Sequence, residues 1–184
     1  MKPNAGLRVD TRLDARLRAT VRDVPDFPKP GIMFKDITPV LGDGALFAET
    51  THAMAKPFAG EQVTHIVAIE SRGFILGAPV AQHLGAGLVL ARKRGKLPRA
   101  TIREEYALEY GTDVLEIHAD ALPRGARAVI VDDVLATGGT AAAVRALVHA
   151  AGAELRGFSF LLALGFLGGR ARLGDARIEA LIEY

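Results

Sequence analysis

The chain has 184 residues, 49% of them apolar, which is enough for one compact domain with a full core and short for two. Lys and Arg number 23 against 21 Asp and Glu, a formal charge of +2, so bulk electrostatics argue for neither a nucleic acid nor a membrane surface as partner, and any cationic role is local. Cysteine is absent, which removes disulfides, thiolate metal sites and thiol nucleophiles and fits a reducing cytosol.

The N-terminal MKPNAGLRVDTRLDARLR lacks the apolar core of a secretory signal. Val9, Leu13 and Leu17 recur at a spacing of four and predict a helix ending near Arg22. Four prolines between Val24 and Pro39 exclude regular helix there and predict an ordered, irregular segment. A second helix is expected from the N-cap Asp43 to about Lys56. HIVAI, His65 to Ile69, reads as a buried parallel strand, and Phe74 to Leu84 as a helix stopped by Gly85. Leu88 to Ala91 is the next strand. A long polar stretch then runs to Gly111, with DVLEIH predicted as a strand beside it. Ala128 to Val131 predicts a buried strand, Ala141 to Ala151 a helix ended by Gly152, and GFSFLLAL another strand. That last apolar run, Phe158 to Leu167, is broken by Ser159 and Gly165 and is too short to span a bilayer, so the chain reads as soluble and cytoplasmic. ARIEALIEY is either a final strand or an interface.

Strands alternating with helices of ten to twelve residues imply an α/β domain, a central mostly parallel sheet flanked by helices, with ligands beyond the carboxyl ends of the strands. The unusual residues lie there: ESRG after the first strand, RKRGK after the second, DDVLATGGT after the third. Asp132 and Asp133 stand between an apolar run and a small Gly-rich turn, and buried carboxylates are costly unless paired, hydrogen-bonded or put to use. The turn leads into a helix whose free first-turn amides favour an anion; Gly138 and Gly139 admit a phosphate to the main chain beside Ala136, and Thr137 and Thr140 add hydroxyls. The lysine of a nucleoside-triphosphate loop is missing, and the acids precede the glycines, unlike a dinucleotide fingerprint. Acids first and phosphate second suggest a sugar phosphate, its hydroxyls on the carboxylates and its phosphate on the loop.

VIVDDVLATGGT resembles the phosphoribosyl-diphosphate motif of the type I phosphoribosyltransferases. FPKPGIMFKDITPVL, ESRGFILGAPVA, ARKRGKLP and ALEYGTDVLEIHADAL match, in order and spacing, the members of that family that act on adenine, over about residues 26–165. The resemblance implies one domain over 1–184, with a small hood from about 24–41 and a flexible lid loop from about 93–111. It implies adenine and 5-phospho-α-D-ribosyl 1-diphosphate as substrates and AMP and diphosphate as products, Mg²⁺ bound mainly through the substrate, no metal held by the protein alone, and a homodimer. Arg72 and Lys96 would contact the diphosphate with Lys93 and Arg92 nearby, and Glu109 in ALEYG would manage the purine proton. Phe34 would stack on the base, while the backbone around Met33 and Lys35 reads its polar edge; Lys35 stands where Arg is commoner, which puts any guanidinium role in doubt. The five histidines show no metal-ligand spacing. A phosphoribosyltransferase for another base, such as guanine, hypoxanthine or xanthine, and a non-catalytic regulator of the same fold stand as alternatives.

Overall fold

The computed structural model describes residues 10–107 and 112–184. Asp10 caps the first helix, α1 (Thr11–Thr20), by accepting the Arg12 N–H at 2.9 Å, and Leu13 and Leu17 form its buried stripe. Val9, the remaining member of the predicted stripe, lies outside the described residues.

The proline-rich stretch departs from the expected irregular segment in two places. β1 (Arg22–Pro25) pairs antiparallel with β2 (Met33–Asp36), and the ladder loses little because Pro25 stands at its end while Pro28 and Pro30 lie in the connection. α2 (Thr38–Gly42) is a short helix that takes Pro39 in its first turn, where an amide has no helical partner to lose. Asp43 caps α3 (Gly44–Ala55) as predicted, accepting the N–H groups of Ala45 and Leu46 at 3.1 and 3.0 Å.

β3 (His65–Ile69), β4 (Gly87–Lys93), β7 (Arg127–Leu135), β8 (Glu154–Ala163) and β9 (Ile178–Glu183) run parallel in one sheet. β5 (Thr101–Ala107) and β6 (Thr112–His118) add an antiparallel hairpin at one edge, giving the order β5-β6-β4-β3-β7-β8-β9. The mostly parallel sheet flanked by helices agrees with the predicted class. Strand alternation sorts the core between two faces. Val67, Ile69, Ile130, Phe158 and Phe160 share one cluster with Val144, Leu147 and Val148 of α5 (Gly139–Ala150); Ile66, Val129, Val131 and Leu161 share the other with α1, α3 and α4 (Arg72–Leu84).

Several boundaries differ from expectation, each for a local reason. Within the stretch expected as a long loop from Lys93 to Gly111, Thr101–Ala107 is ladder, because Ile102, Glu104 and Tyr106 alternate with exposed Arg103 and Glu105, a period of two concealed by charge. β7 runs on to Leu135, so both acids are strand residues rather than loop residues. α4 begins at Arg72, earlier than predicted, and Gly85 stops it in the left-handed region at φ 62°. Ile178–Glu183 is the final strand, parallel to β8. Among the described residues, no helix is long and apolar enough to cross a membrane.

The approach of α4 to the sheet decides where Arg72 stands. A Cβ on Gly77 would meet the Ala68 Cβ of β3 at 2.7 Å, and one on Gly73 would meet the Val131 carbonyl at 2.8 Å and Asp132 Oδ1 at 3.0 Å. Glycine elsewhere in a helix interior costs about 0.5–1 kcal/mol relative to alanine, yet here the missing side chain allows the contact. Gly77→Ala is expected to destabilise the fold by about 1–3 kcal/mol through overpacking, read by urea denaturation; a stability gain would show that the helix can lift without cost.

Candidate active site

Three parallel strands deliver their carboxyl ends to one rim of the sheet. β7 brings Asp132 and Asp133, then the loop Ala136–Gly138 and the N-terminus of α5. Asp133 is only 4% exposed, its backbone N–H donates to Asp132 Oδ1 at 2.9 Å, and its carboxylate accepts a short hydrogen bond from Arg72 Nε at the start of α4. Burial pushes the Asp132 carboxyl well above the ordinary range, and the neighbouring Asp133 charge pushes it the same way, against a smaller pull from Arg72. The pair is thus asymmetric: one carboxylate is neutralised by a guanidinium, the other faces the cleft with a raised proton affinity.

Gly138 caps α5 at φ +78° with no side chain over the helix end. The amides of Gly139, Thr140 and Ala141 therefore lack a carboxylate or hydroxyl cap, and they border a hollow of about 80 Å³ together with Thr137. That hollow shares Asp132, Val134, Ala136, Thr137, Gly139 and Thr140 with a cleft of about 450 Å³ also bordered by Asp133, Arg72 and, before and in β2, Ile32, Met33, Phe34 and Lys35. The Arg72 guanidinium lies 5.3 Å from the Phe34 ring centroid, so one cation touches both the acid pair and the hood. Phe27 supports Phe34 edge-on at 5.0 Å. Lys35 Nζ is engaged elsewhere, 2.6 Å from Asp23 and 3.8 Å from the Tyr184 ring centroid, which leaves its backbone rather than its ammonium for the cleft.

The cationic cluster divides. Lys93, at the end of β4, borders a further lobe of about 420 Å³ with Glu70, Arg72, Asp132 and Thr140, and its Nζ lies 3.2 Å from Asp113. Arg92 turns to Glu70, with Nε and Nη2 each at 3.3 Å, and holds the Lys96 carbonyl at 3.0 Å. Burial works against the Glu70 carboxylate, but the Arg92 bonds and the Lys93 N–H together keep it below its usual range. Lys96 is exposed in the turn after β4 and borders neither lobe, and Arg99 pairs with Asp120 at 2.6 Å, away from the acids. Glu109 and Tyr110 lie outside the described residues. Among the described residues, no group of three or more His, Cys, Asp or Glu side chains is arranged to hold a metal ion.

Leu164 and Leu167, which follow β8 and border the same cleft, were absent from the sequence reading. Tyr106 was missed as well: its hydroxyl reaches Asp113 at 3.4 Å, and it borders the cleft together with Thr140. The signal available for the leucines was their place just past a strand carboxyl end; Tyr106 lay hidden in a strand read as loop.

The phosphoribosyl transferase domain family matches residues 40–164. An adenine phosphoribosyltransferase of Myxococcus xanthus is 55% identical over 184 residues, all of both chains, and one of Anaeromyxobacter sp. is 56% identical over 91% of this chain and 95% of its own. Among solved structures, an adenine phosphoribosyltransferase of Rhodothermus marinus is 49% identical with a TM-score of 0.91, covering 95% of this chain and all of that one. The Saccharomyces cerevisiae enzyme, complexed with adenine and an imino-altritol bisphosphate, is 37% identical with a TM-score of 0.89 over 94% and 99% of the two chains. Full-length identity of this order, together with the same fold and the matching domain, places the chain in the adenine phosphoribosyltransferase family of phosphoribosyl transferase domains.

Proposed function

We propose that the chain transfers the phosphoribosyl group of 5-phospho-α-D-ribosyl 1-diphosphate to adenine, giving AMP and diphosphate, a purine-salvage reaction. The observation that carries this reading is the continuity of one cleft from an aromatic hood, past two adjacent carboxylates, to a helix N-terminus without a side-chain cap. The hollow at Thr137–Thr140 takes the 5′-phosphate through backbone amides and hydroxyls, fixing the sugar for attack at its anomeric carbon. Asp132 and Asp133 accept hydrogen bonds from the ribose hydroxyls and favour the positive charge that develops on the ring, as in glycoside hydrolysis. Arg72 and Lys93 border the lobe assigned to the diphosphate, where unit charges about 4 Å apart gain roughly 4 kcal/mol at an effective dielectric near 20. Lys96, expected to contact the diphosphate, is exposed beyond the lobe, and Arg92, expected nearby, is committed to Glu70. Glu109 is assigned to the purine proton on its place in ALEYG.

Phe34 stacks on the base, opposed by Leu164 and Leu167, and the main chain at Met33 and Lys35 reads its polar edge. Such a site rejects a 6-oxo purine by leaving a buried polar group unpaired. The oxygen-bearing side chains of the diphosphate lobe, Glu70, Asp113, Asp132 and Asp133 among them, would suit Mg²⁺ brought in with the diphosphate. When bound, the ion neutralises charge on the leaving group. We read the chain as a single domain working in the cytoplasm, with residues 24–41 as hood and 93–111 as lid. Ile75, Leu88 and Leu90 are 46%, 42% and 37% exposed on α4 and the adjoining β4, and we assign that apolar face to a homodimer contact.

Parallel assays of diphosphate release with adenine, guanine, hypoxanthine and xanthine test the substrate, and adenine is expected to lead by about 10²-fold or more in kcat/KM; a 6-oxo purine in the lead would reassign the base. Asp132→Asn with Asp133→Asn is expected to lower kcat/KM by about 10²–10³-fold with the circular dichroism spectrum unchanged, and near-parental turnover would contradict the role of the pair. Asp132 also carries a pH signature. Its folded pKa lies above the unfolded value of about 3.9, so its charge opposes folding; the penalty is absent below the unfolded value, grows as pH rises between the two, and is complete above the folded one. Asp132→Asn is therefore expected to raise Tm at pH 8 by at least about 2 °C, a gain that shrinks as pH falls toward about 4. A variant less stable than the parent at pH 8 would show that the site stabilises the Asp132 charge.

A further inference from the structure

The phosphate loop has a backing beyond the matched domain, which ends at residue 164. After β8 the chain makes a short 3₁₀ turn, Gly165–Leu167, and then a one-turn helix, α6 (Gly169–Arg172), whose start presses on the loop. A Cβ on Gly169 would stand 2.1 Å from the Ala136 carbonyl oxygen and 3.1 Å from the Gly138 amide nitrogen. Reciprocally, a Cβ on Gly138 would stand 2.7 Å from the Gly169 carbonyl oxygen. Two backbones meet here with no room for a side chain between them.

Backbone conformation gives no reason for glycine at 169. The residue opens a helical turn, its φ lies outside the left-handed region, and alanine is preferred to glycine in a helix. Gly168 is the contrast: its φ of +68° favours glycine, while nothing lies within 4 Å of its missing Cβ. The segment is also anchored. Leu173 is fully buried, its carbonyl accepts Arg145 Nη1 of α5 at 2.9 Å, and the Gly165 N–H donates to the Tyr184 carbonyl at 2.9 Å. A fixed stop therefore stands behind a loop whose other side borders the hollow.

We infer that Gly169 is a positioning residue for the phosphoribosyl substrate. By contact with Ala136 and Gly138 it sets the height of the loop backbone, and with it the aim of the amides at the α5 N-terminus. The inference rests on the assignment of that hollow to the 5′-phosphate. An alanine at 169 would displace the loop by about 1 Å, and misplacement on that scale costs up to about 10²-fold in rate.

The test is calorimetric titration of the parent, Gly169→Ala and Gly168→Ala with ribose 5-phosphate, alongside steady-state kinetics and Tm. Gly169→Ala is expected to bind ribose 5-phosphate at least about tenfold more weakly and to raise the KM for phosphoribosyl diphosphate in step, with the KM for adenine at saturating co-substrate within about twofold of the parent. Gly168→Ala is expected to lower Tm through its left-handed φ but to bind within about twofold of the parent. Parental affinity in Gly169→Ala, or an equal loss in Gly168→Ala, would overturn the inference. A parent that does not bind ribose 5-phosphate would instead remove the phosphate assignment, and this inference with it. Should Gly169→Ala not fold, Arg145→Met, which cuts the tie between α5 and the segment, is titrated in its place: severalfold weaker binding supports the inference and unchanged binding overturns it.

Discussion

Two adjacent carboxylates at the end of a buried strand set the terms for everything around them. Asp132 and Asp133 both border the cleft, Asp133 only 4% exposed, and a carboxylate so placed is unfavourable without help. Help comes to Asp133 from Arg72, and Arg72 stands there because Gly73 and Gly77 let α4 lie close against the sheet. Asp132 receives only the Asp133 N–H and a weak pull from Arg72, so its charge remains opposed by burial. The fold thus carries a destabilised group at the point where a ribose ring would sit, and a stability cost at a functional site is the expected signature of a group kept for binding or chemistry.

Around this pair the cleft is assembled from segments distant in sequence. The β1–β2 ribbon supplies an apolar wall with one aromatic ring, the residues after β8 supply the opposing leucines, and the α5 N-terminus supplies uncapped amides. Cations are sorted by partner. Arg72 and Lys93 border the cleft, whereas Arg92 serves Glu70 and Arg99 serves Asp120. A run of like charges in the sequence is therefore several separate devices in space. Salt bridges that are exposed contribute little to stability, so the Arg99–Asp120 pair, about 61% and 64% exposed at its side chains, is a surface feature rather than part of the site.

The class of the fold was legible in the sequence, as were the acid pair and turn on which the candidate site rests. Apolar runs such as HIVAI and AVIV identified buried parallel strands, and an acid pair followed by a small turn identified the loop. What escaped notice had physical causes. TIREEYA is a strand whose alternation is masked by charge on both faces, and Tyr106 escaped with it. PKPGIMF forms part of a ribbon because its prolines fall where the ladder needs no donor, a distinction that composition does not reveal. The split of the cations required three-dimensional pairing, since Lys93 and Lys96 are indistinguishable in RKRGK. Glu109, singled out on resemblance, lies outside the described residues. Leu164, Leu167 and Gly169 followed a strand whose end gave no chemical signal, and only the geometry brings them to the cleft and its loop.

In the proposed reaction one cleft holds a 5′-phosphorylated ribose with its hydroxyls on Asp132 and Asp133 and its phosphate on the amides at the start of α5. A crystal structure of the chain with AMP tests it most directly. The phosphate is expected within hydrogen-bond reach of Thr137–Thr140, the ribose hydroxyls on the acid pair, and the adenine ring against Phe34. AMP bound with its phosphate elsewhere, and the acid pair free of the sugar, would contradict it.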